Sequence, residues 1–252
     1  MTLRDGNGTC RASTPIYLRN IFKRSHMAAK KPKKHEIAQQ FFSQHCSNSC
    51  LRVLEVGGTE LTDHIVREII GDCELLKLNI QSSSLGKGPD CIVGDGTKMP
   101  LKDDSIDAIL CFDVIEHIVE PDYLITEAHR VLKKGGFLMI TTANLATIYN
   151  RILLFLGYSP LTYSPAGYRV GLPFPPVKWD LGHKSVFTYK GLRDLLSVYQ
   201  FETVKSAGFC YYEPFYTEHE RREVGFFRLR MAIDKILPKE MREGMIFLSK
   251  KT

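Results

Sequence analysis

Apolar positions along this chain switch between two periods. From His35 to about Asn48, Ile37, Ala38, Phe41, Phe42 and His45 recur at helical spacing and predict an amphipathic helix. Leu51-Arg52-Val53-Leu54-Glu55-Val56 is a short apolar run stopped by Gly57-Gly58, which predicts a buried strand entering a tight turn. Residues 60–70 return to helical period through Leu61, Ile65, Ile69 and Ile70. Strands follow over Glu74 to Ile80, Cys91 to Val93 and Ile106 to Phe112. A strong helix spans 121–134, with Pro121 in the first turn, Leu124, Ala128, Val131 and Leu132 as its stripe, and Lys133-Lys134 before Gly135. Phe137 to Thr142 reads as a fifth strand, Phe187 to Tyr199 as a helix with Thr188 at its N-cap, and Phe201 to Phe209 and Gly244 to Leu248 as two last strands.

Strands alternating with helices predict an α/β fold: a Rossmann-like, doubly wound, mainly parallel sheet of seven strands. One link breaks the rhythm. Gln81-Ser82-Ser83-Ser84-Leu85-Gly86 leaves no helical stripe, so the crossover after the second strand is expected to shrink to a turn. Such sheets bind ligands beyond the carboxyl ends of their strands, where the strand order reverses. That directs attention to Glu55 to Thr59, Asn79, Gly94 to Thr97 and Asp113 to His117.

Composition changes the picture mainly at the start of the chain. The net charge is +6, yet residues 1–35 hold nine basic side chains against the single acid Asp5, leaving the rest close to −2. Residues 1–35 are therefore expected to be a basic, disordered tail, with 36–252 as the folded domain. The tail reads either as a solvated leader or as a targeting or basic arm for anionic lipid or nucleic acid. The body offers no charge argument for nucleic acid, and none is expected as a partner. No apolar run approaches the roughly 20 residues of a membrane span. Seven cysteines, odd in number and mostly in apolar contexts, point to a reducing compartment and a cytoplasmic location. Cys46-x-x-x-Cys50 has no second pair at ligand spacing, and no metal ligands are assigned.

The stretch from Val53 to Asn144 carries an ordered series of motifs. It contains Gly94-Asp95-Gly96-Thr97-Lys98-Met99-Pro100-Leu101, then Asp103-Asp104-Ser105-Ile106-Asp107, Asp113-Val114-Ile115-Glu116-His117 and Glu127-Ala128-His129-Arg130-Val131-Leu132-Lys133-Lys134-Gly135-Gly136. This series resembles the class I S-adenosylmethionine-dependent methyltransferases, in their small-molecule, type 11-like branch. The likeness covers a little over a third of the chain, and the final strands fit that family's antiparallel last strand. A dinucleotide-dependent dehydrogenase needs a Gly-x-Gly-x-x-Gly turn, which Gly57-Gly58-Thr59-Glu60-Leu61 does not supply.

The resemblance implies S-adenosyl-L-methionine as cofactor and a methyl transfer to a small acceptor. Residue by residue, Glu55 matches the acid ending the first strand, and Gly57 and Gly58 match the loop beside the cofactor. Asp95, flanked by Gly94 and Gly96, matches the carboxylate on the adenine amino group, and Asp113 faces the transferred methyl. Thr59 and Leu61 stand where further glycines are usual, and Asn79 where an acid accepts the ribose hydroxyls. Those departures motivate a second reading, a catalytically silent binding or regulatory module. Glu55 also fits a helix-capping role, and Asp95 a turn role.

His117 and His183 are the candidate catalytic bases. The Asp113 to Ile118 pattern is similar to that of ubiquinone-pathway O-methyltransferases, where two carboxylates and the histidine hold a divalent cation. His117 equally fits a capping or packing role. The Pro-, Gly- and Tyr-rich stretch within 145–182 is expected to cap the substrate, with Tyr158, Tyr163, Tyr168, Phe174 and Trp179 lining a pocket for an apolar or ring-bearing acceptor. Ile152 to Leu156 either packs on the domain or touches a membrane surface. The amino-directed nucleic-acid motif, Asn/Asp-Pro-Pro-aromatic, is absent after the fourth strand.

Overall fold

The computed structural model describes residues 33–45, 51–59, 62–85, 88, 90–163, 168–173, 175–178, 182–210, 233 and 236–252. The basic tail up to residue 32, together with Cys46, Cys50, Leu61, Gly86, Phe174 and Trp179, lies outside them.

The elements in chain order are α1 (Lys33–His45), β1 (Leu51–Val56), α2 (Asp63–Ile70), β2 (Cys73–Asn79), β3 (Cys91–Val93) and β4 (Ile106–Phe112). A 3₁₀ turn (Ile115–His117), α3 (Pro121–Val131), β5 (Leu132–Ala143) and α4 (Ile148–Phe155) come next. The chain then forms β6 (Tyr168–Arg169), β7 (Val177–Lys178), α5 (Tyr189–Val198), β8 (Phe201–Phe209) and β9 (Gly244–Lys251). The main sheet has seven strands in the order β3-β2-β1-β4-β5-β9-β8. The strands from β1 to β5 pair in parallel, and β9 runs antiparallel between β5 and β8.

Period-two alternation explains how one sheet buries both faces. Leu54, Val56, Ile109, Cys111, Met245 and Phe247 face one core with Leu124, Ile125 and Ala128 of α3 and Leu192 and Leu196 of α5. Their neighbours Val53, Ala108, Leu110, Ile246 and Leu248 face the other core, against Ala38, Phe41 and Phe42 of α1 and Val66 and Ile69 of α2. The result is a three-layer sandwich. No described helix is long and apolar enough to cross a membrane.

Several details refine the sequence reading. α1 begins at Lys33, so the last residues grouped with the basic tail belong to the folded domain. The buried positions of α2 are Val66 and Ile69, while Ile65 and Ile70 are only half-buried. The expected helix after β2 is indeed replaced by a turn at Ser82–Ser84. α3 stops at Val131 because Leu132 turns extended and pairs with Ile106, starting β5 earlier than apolarity alone suggests. Thr188 caps α5 as expected, its hydroxyl accepting from the Gly191 N–H at 3.0 Å.

α1 also brings a titrating group into the structure. His35 lies with its ring 6.2 Å from that of Phe112. Burial, then the neighbouring Lys34, lowers its pKa from 6.5 to about 4, against smaller opposing effects of Asp113 and Glu68, while His64 adds to the lowering. A depressed histidine contributes stability that is complete above the unfolded pKa and is lost as pH falls through the folded one. The protein should therefore lose about 1 kcal/mol on this account between pH 7 and pH 5, once its partial exposure is discounted. Denaturant titrations of His35→Phe, which keeps a ring against Phe112, should show a smaller acid-induced loss than the parent protein. An equal loss in both contradicts the assignment.

Candidate functional site

The strand order reverses between β1 and β4, and the carboxyl ends of β1, β2, β3 and β4 bring the predicted residues to one edge of the sheet. At β1, Glu55 is 3% exposed, and its Oε2 accepts a hydrogen bond from the Thr62 hydroxyl at 2.8 Å. Thr62 is the N-cap position of α2, so this carboxylate supports the helix start as well as the loop. Gly57 takes a φ of +78°, and a Cβ there would stand 2.5 Å from a Val114 methyl. A Cβ on Gly58 would stand 2.7 Å from the Glu55 carboxylate. Neither position has room for a side chain, although only the first two of the usual glycines are retained.

Asn79, at the end of β2, behaves differently from the acid it replaces. Its amide nitrogen donates to the carbonyls of Gly57 (3.3 Å) and Gly58 (3.0 Å), and its Oδ1 accepts from the Gln81 N–H at 2.9 Å. Two carbonyls facing one side chain demand a donor, which a carboxylate lacks. The amide therefore fastens the loop after β1 to the end of β2. Gly94 and Gly96 flank Asp95 where a Cβ would meet Leu78 at 2.9 Å, or Val56 and Leu124 at 3.1 Å. Asp95 itself is exposed; its Oδ1 accepts from the Thr97 N–H at 2.8 Å, so it shapes the turn while staying at the surface of the crevice.

Asp113 follows β4 with a φ of +54°. Thr141 donates its hydroxyl to Oδ1 at 2.9 Å, and the Lys34 ammonium pairs with Oδ2. Lys34 is a site residue that sequence reasoning missed. Its charge was indistinguishable from those of the tail, and only the docking of α1 carries it to β4. The residues next along the chain form the 3₁₀ turn bearing Glu116 and His117. Glu116 is 3% exposed, and burial, then the nearby Asp113 charge, pushes its pKa up to about 7.

His117 and His183 come together although 65 residues of chain separate His117 from Gly182. Their rings are 5.1 Å apart and edge to face. His117 Nδ1 lies 3.1 Å from the Gly182 carbonyl, and His183 Nδ1 lies 2.7 Å from the Thr162 carbonyl. One oxygen of Glu116 and one ring nitrogen of each histidine fall within 4.8 Å of one another.

Other polar residues near the crevice have structural roles. Asn144 is fully buried and ties the end of β5 to the carbonyls of Glu240 and Arg242. Arg130 donates to the Met99 and Leu101 carbonyls and pairs with Glu127 and Asp103, fixing the loop after Asp95. Tyr158, Tyr163 and Tyr168 are exposed at the surface.

Comparison with known proteins agrees with this fold. A family described as Methyltransferase domain matches residues 65–140. A probable S-adenosylmethionine-dependent methyltransferase of Mycolicibacterium smegmatis is 27% identical over 124 residues, covering 46% of this chain and 46% of that protein. The chain thus aligns with less than half the length of this curated relative. Among solved structures, a SAM-dependent methyltransferase from Archaeoglobus fulgidus has a TM-score of 0.53 at 16% identity, covering 86% of this chain and 94% of that one. Phosphoethanolamine N-methyltransferase 2 of Haemonchus contortus, solved with S-adenosyl-L-methionine, has a TM-score of 0.56 at 12% identity over 92% of this chain and 55% of that one. The chain has the fold of these solved methyltransferases, and its residues 65–140 match the methyltransferase domain family.

The role of Asn79 gives a direct test. Asn79→Asp restores the usual acid on paper, but places a carboxylate against two carbonyls. It should destabilise the protein by about 1–3 kcal/mol in urea titration. Unchanged or increased stability overturns the reading of Asn79 as the tie between the two loops.

Proposed function

We propose that the protein is a methyltransferase that uses S-adenosyl-L-methionine and acts on a small acceptor with an apolar or ring-bearing body. The observation that carries this reading is the convergence of Glu55, Gly57, Gly58, Asp95, Gly96 and Asp113 at the switch point of the sheet. At the β1 and β3 ends, glycines stand where a Cβ would press on neighbouring protein side chains, so these loops pack closely against the strand ends that form the crevice. The exposed Asp95 carboxylate supports an adenine contact, and the Asp113 to His117 segment supports the methyl end.

The cofactor supplies an electrophilic methyl group on a sulfonium. The chain's own contribution is to hold the acceptor in line with it, which accounts for much of the catalysis of a displacement. His117 is exposed and His183 half-buried beside it. Both have their rings oriented by backbone carbonyls, and they are the side chains proposed to hold the acceptor and handle its proton. The Tyr-bearing segment between α4 and α5 is proposed as the acceptor cap.

One observation favours the alternative, a silent binding module. Asn79 spends its amide hydrogens within the protein, so the ribose end lacks the usual charged acceptor. Calorimetry with S-adenosylhomocysteine separates the two. Binding in the parent protein that weakens at least about tenfold in Asp95→Ala, a loss of about 1.4 kcal/mol, supports the enzyme reading. No heat of binding at millimolar ligand favours the silent module.

Peripheral membrane contact forms a second part of the proposal. Ile152, Leu154, Phe155 and Leu156 on and after α4 are 51–90% exposed. An apolar acceptor residing in a bilayer would bring this face to the membrane. In a flotation assay with anionic vesicles, the parent protein should float and Phe155→Asp should lose most of that fraction. A parent protein that stays in the bottom layer contradicts this part.

A further inference from the structure

The fold goes to some length to assemble Glu116, His117 and His183. The Lys184 and Ser185 N–H groups both donate to the Glu116 carbonyl, at 2.7 and 3.0 Å, and the Ser185 hydroxyl donates to the Ile118 carbonyl at 2.8 Å. The chain after Gly182 is thereby laid along the turn that carries Glu116 and His117. Gly182 takes a φ of +67°, and a Cβ there would meet His117 Nδ1 at 3.2 Å. Thr162, whose carbonyl holds His183, is itself held through its hydroxyl by Asn150 at 3.0 Å.

The two histidines are oriented in the same way. A carbonyl oxygen only accepts, so the Nδ1 atoms facing Gly182 and Thr162 carry the hydrogen. The neutral rings then keep their lone pairs on Nε2. A ring N–H fixed on a backbone carbonyl is the arrangement that steadies histidines on a metal ion. Beside them, Glu116 is buried with the Thr142 hydroxyl nearby, and its Oε2 has no partner at hydrogen-bond geometry among the described residues. An unsatisfied carboxylate oxygen in the interior is costly unless a positive group reaches it. The three ligand atoms lie within 4.8 Å of one another, and small side-chain rotations would bring them to the roughly 3.4 Å that separates two tetrahedral ligands with bonds of about 2.1 Å.

We propose that Glu116, His117 and His183 bind a first-row divalent transition cation. Two imidazoles and one carboxylate suit zinc and its neighbours better than magnesium or calcium, which take oxygen donors. This set differs from the two carboxylates and one histidine suggested by the sequence resemblance. Asp113, the expected second carboxylate, is engaged by Lys34 and Thr141, and the third ligand comes from the segment before α5. Three protein ligands leave coordination open for water or an acceptor oxygen. A cation there lowers the pKa of a bound hydroxyl, whose proton passes to solvent. With the cation bound, the histidines serve as its ligands in place of the direct proton handling proposed above for the cation-free site, and the cation activates the acceptor. That catalytic use rests on the methyltransferase reading; the cation site does not.

The test is cobalt(II) titration of the full chain after chelator treatment and desalting. One equivalent should give visible ligand-field bands that zinc(II) displaces. His117→Ala, at an exposed ring whose loss leaves the core intact, and His183→Ala should each weaken binding at least tenfold, while Asp113→Asn retains it. Circular dichroism of each variant checks the fold. The proposal is overturned by the absence of a saturable visible band, by undiminished binding in His117→Ala, by loss in Asp113→Asn with retention in His183→Ala, or by an intense near-ultraviolet thiolate band marking cysteine ligands. S-adenosylhomocysteine calorimetry on the same samples separates the two claims. Cobalt binding without it sinks the methyltransferase reading alone, and the reverse sinks the cation site alone.

Discussion

Parallel strands must end somewhere, and the edge at which β1 and β4 end side by side governs this molecule. The chain leaves these two strands toward opposite sides of the sheet, so no crossover helix closes over the gap between them. Most groups of the candidate site follow strands that end along this edge, while Lys34 and His183 are brought to it from α1 and from the segment before α5. Glu55 and the glycine pair leave β1, Asn79 leaves β2, the Gly-Asp-Gly turn leaves β3, and Asp113 leaves β4. The two apolar cores hold the strand ends in register, since a slip of one residue would exchange the faces of every strand.

On that edge, polar groups are used to fix loops before any are offered to a ligand. Asn79 joins the ends of β1 and β2, Thr62 and Glu55 join the β1 loop to the start of α2, and Arg130 with Glu127 fixes the segment after Asp95. The end of β4 carries the concentrated charge. Asp113 is balanced by Lys34 and Thr141, while burial and that same aspartate raise the pKa of Glu116. The proposed cation would stand beside Glu116 as Lys34 stands beside Asp113.

Much of the architecture was legible in the sequence because period-two and helical patterns report burial directly. β1, β4, α5 and the missing helix after β2 all follow from local residues. The candidate site was legible where a motif is contiguous, as in Gly94-Asp95-Gly96 and Glu116-His117. What escaped were long-range pairings. Nothing local says that Lys34 of the basic stretch reaches Asp113, or that Asn79 donates to Gly57 and Gly58. The early start of β5 also escaped, because Lys133 to Gly136 carry no strand pattern: they form an irregular step between the Leu132–Ile106 and Phe137–Ala108 pairs, with Gly135 at a φ of +77°.

The central claim is that the crevice at the β1–β4 switch point holds the cofactor. Hydrogen exchange followed by mass spectrometry, with and without S-adenosylhomocysteine, tests it across the whole chain at once. The account predicts slowed exchange in peptides covering residues 55–59, 93–97 and 112–117, with the outer strands β8 and β9 unchanged. Protection confined to other segments, or none at saturating ligand, would contradict it.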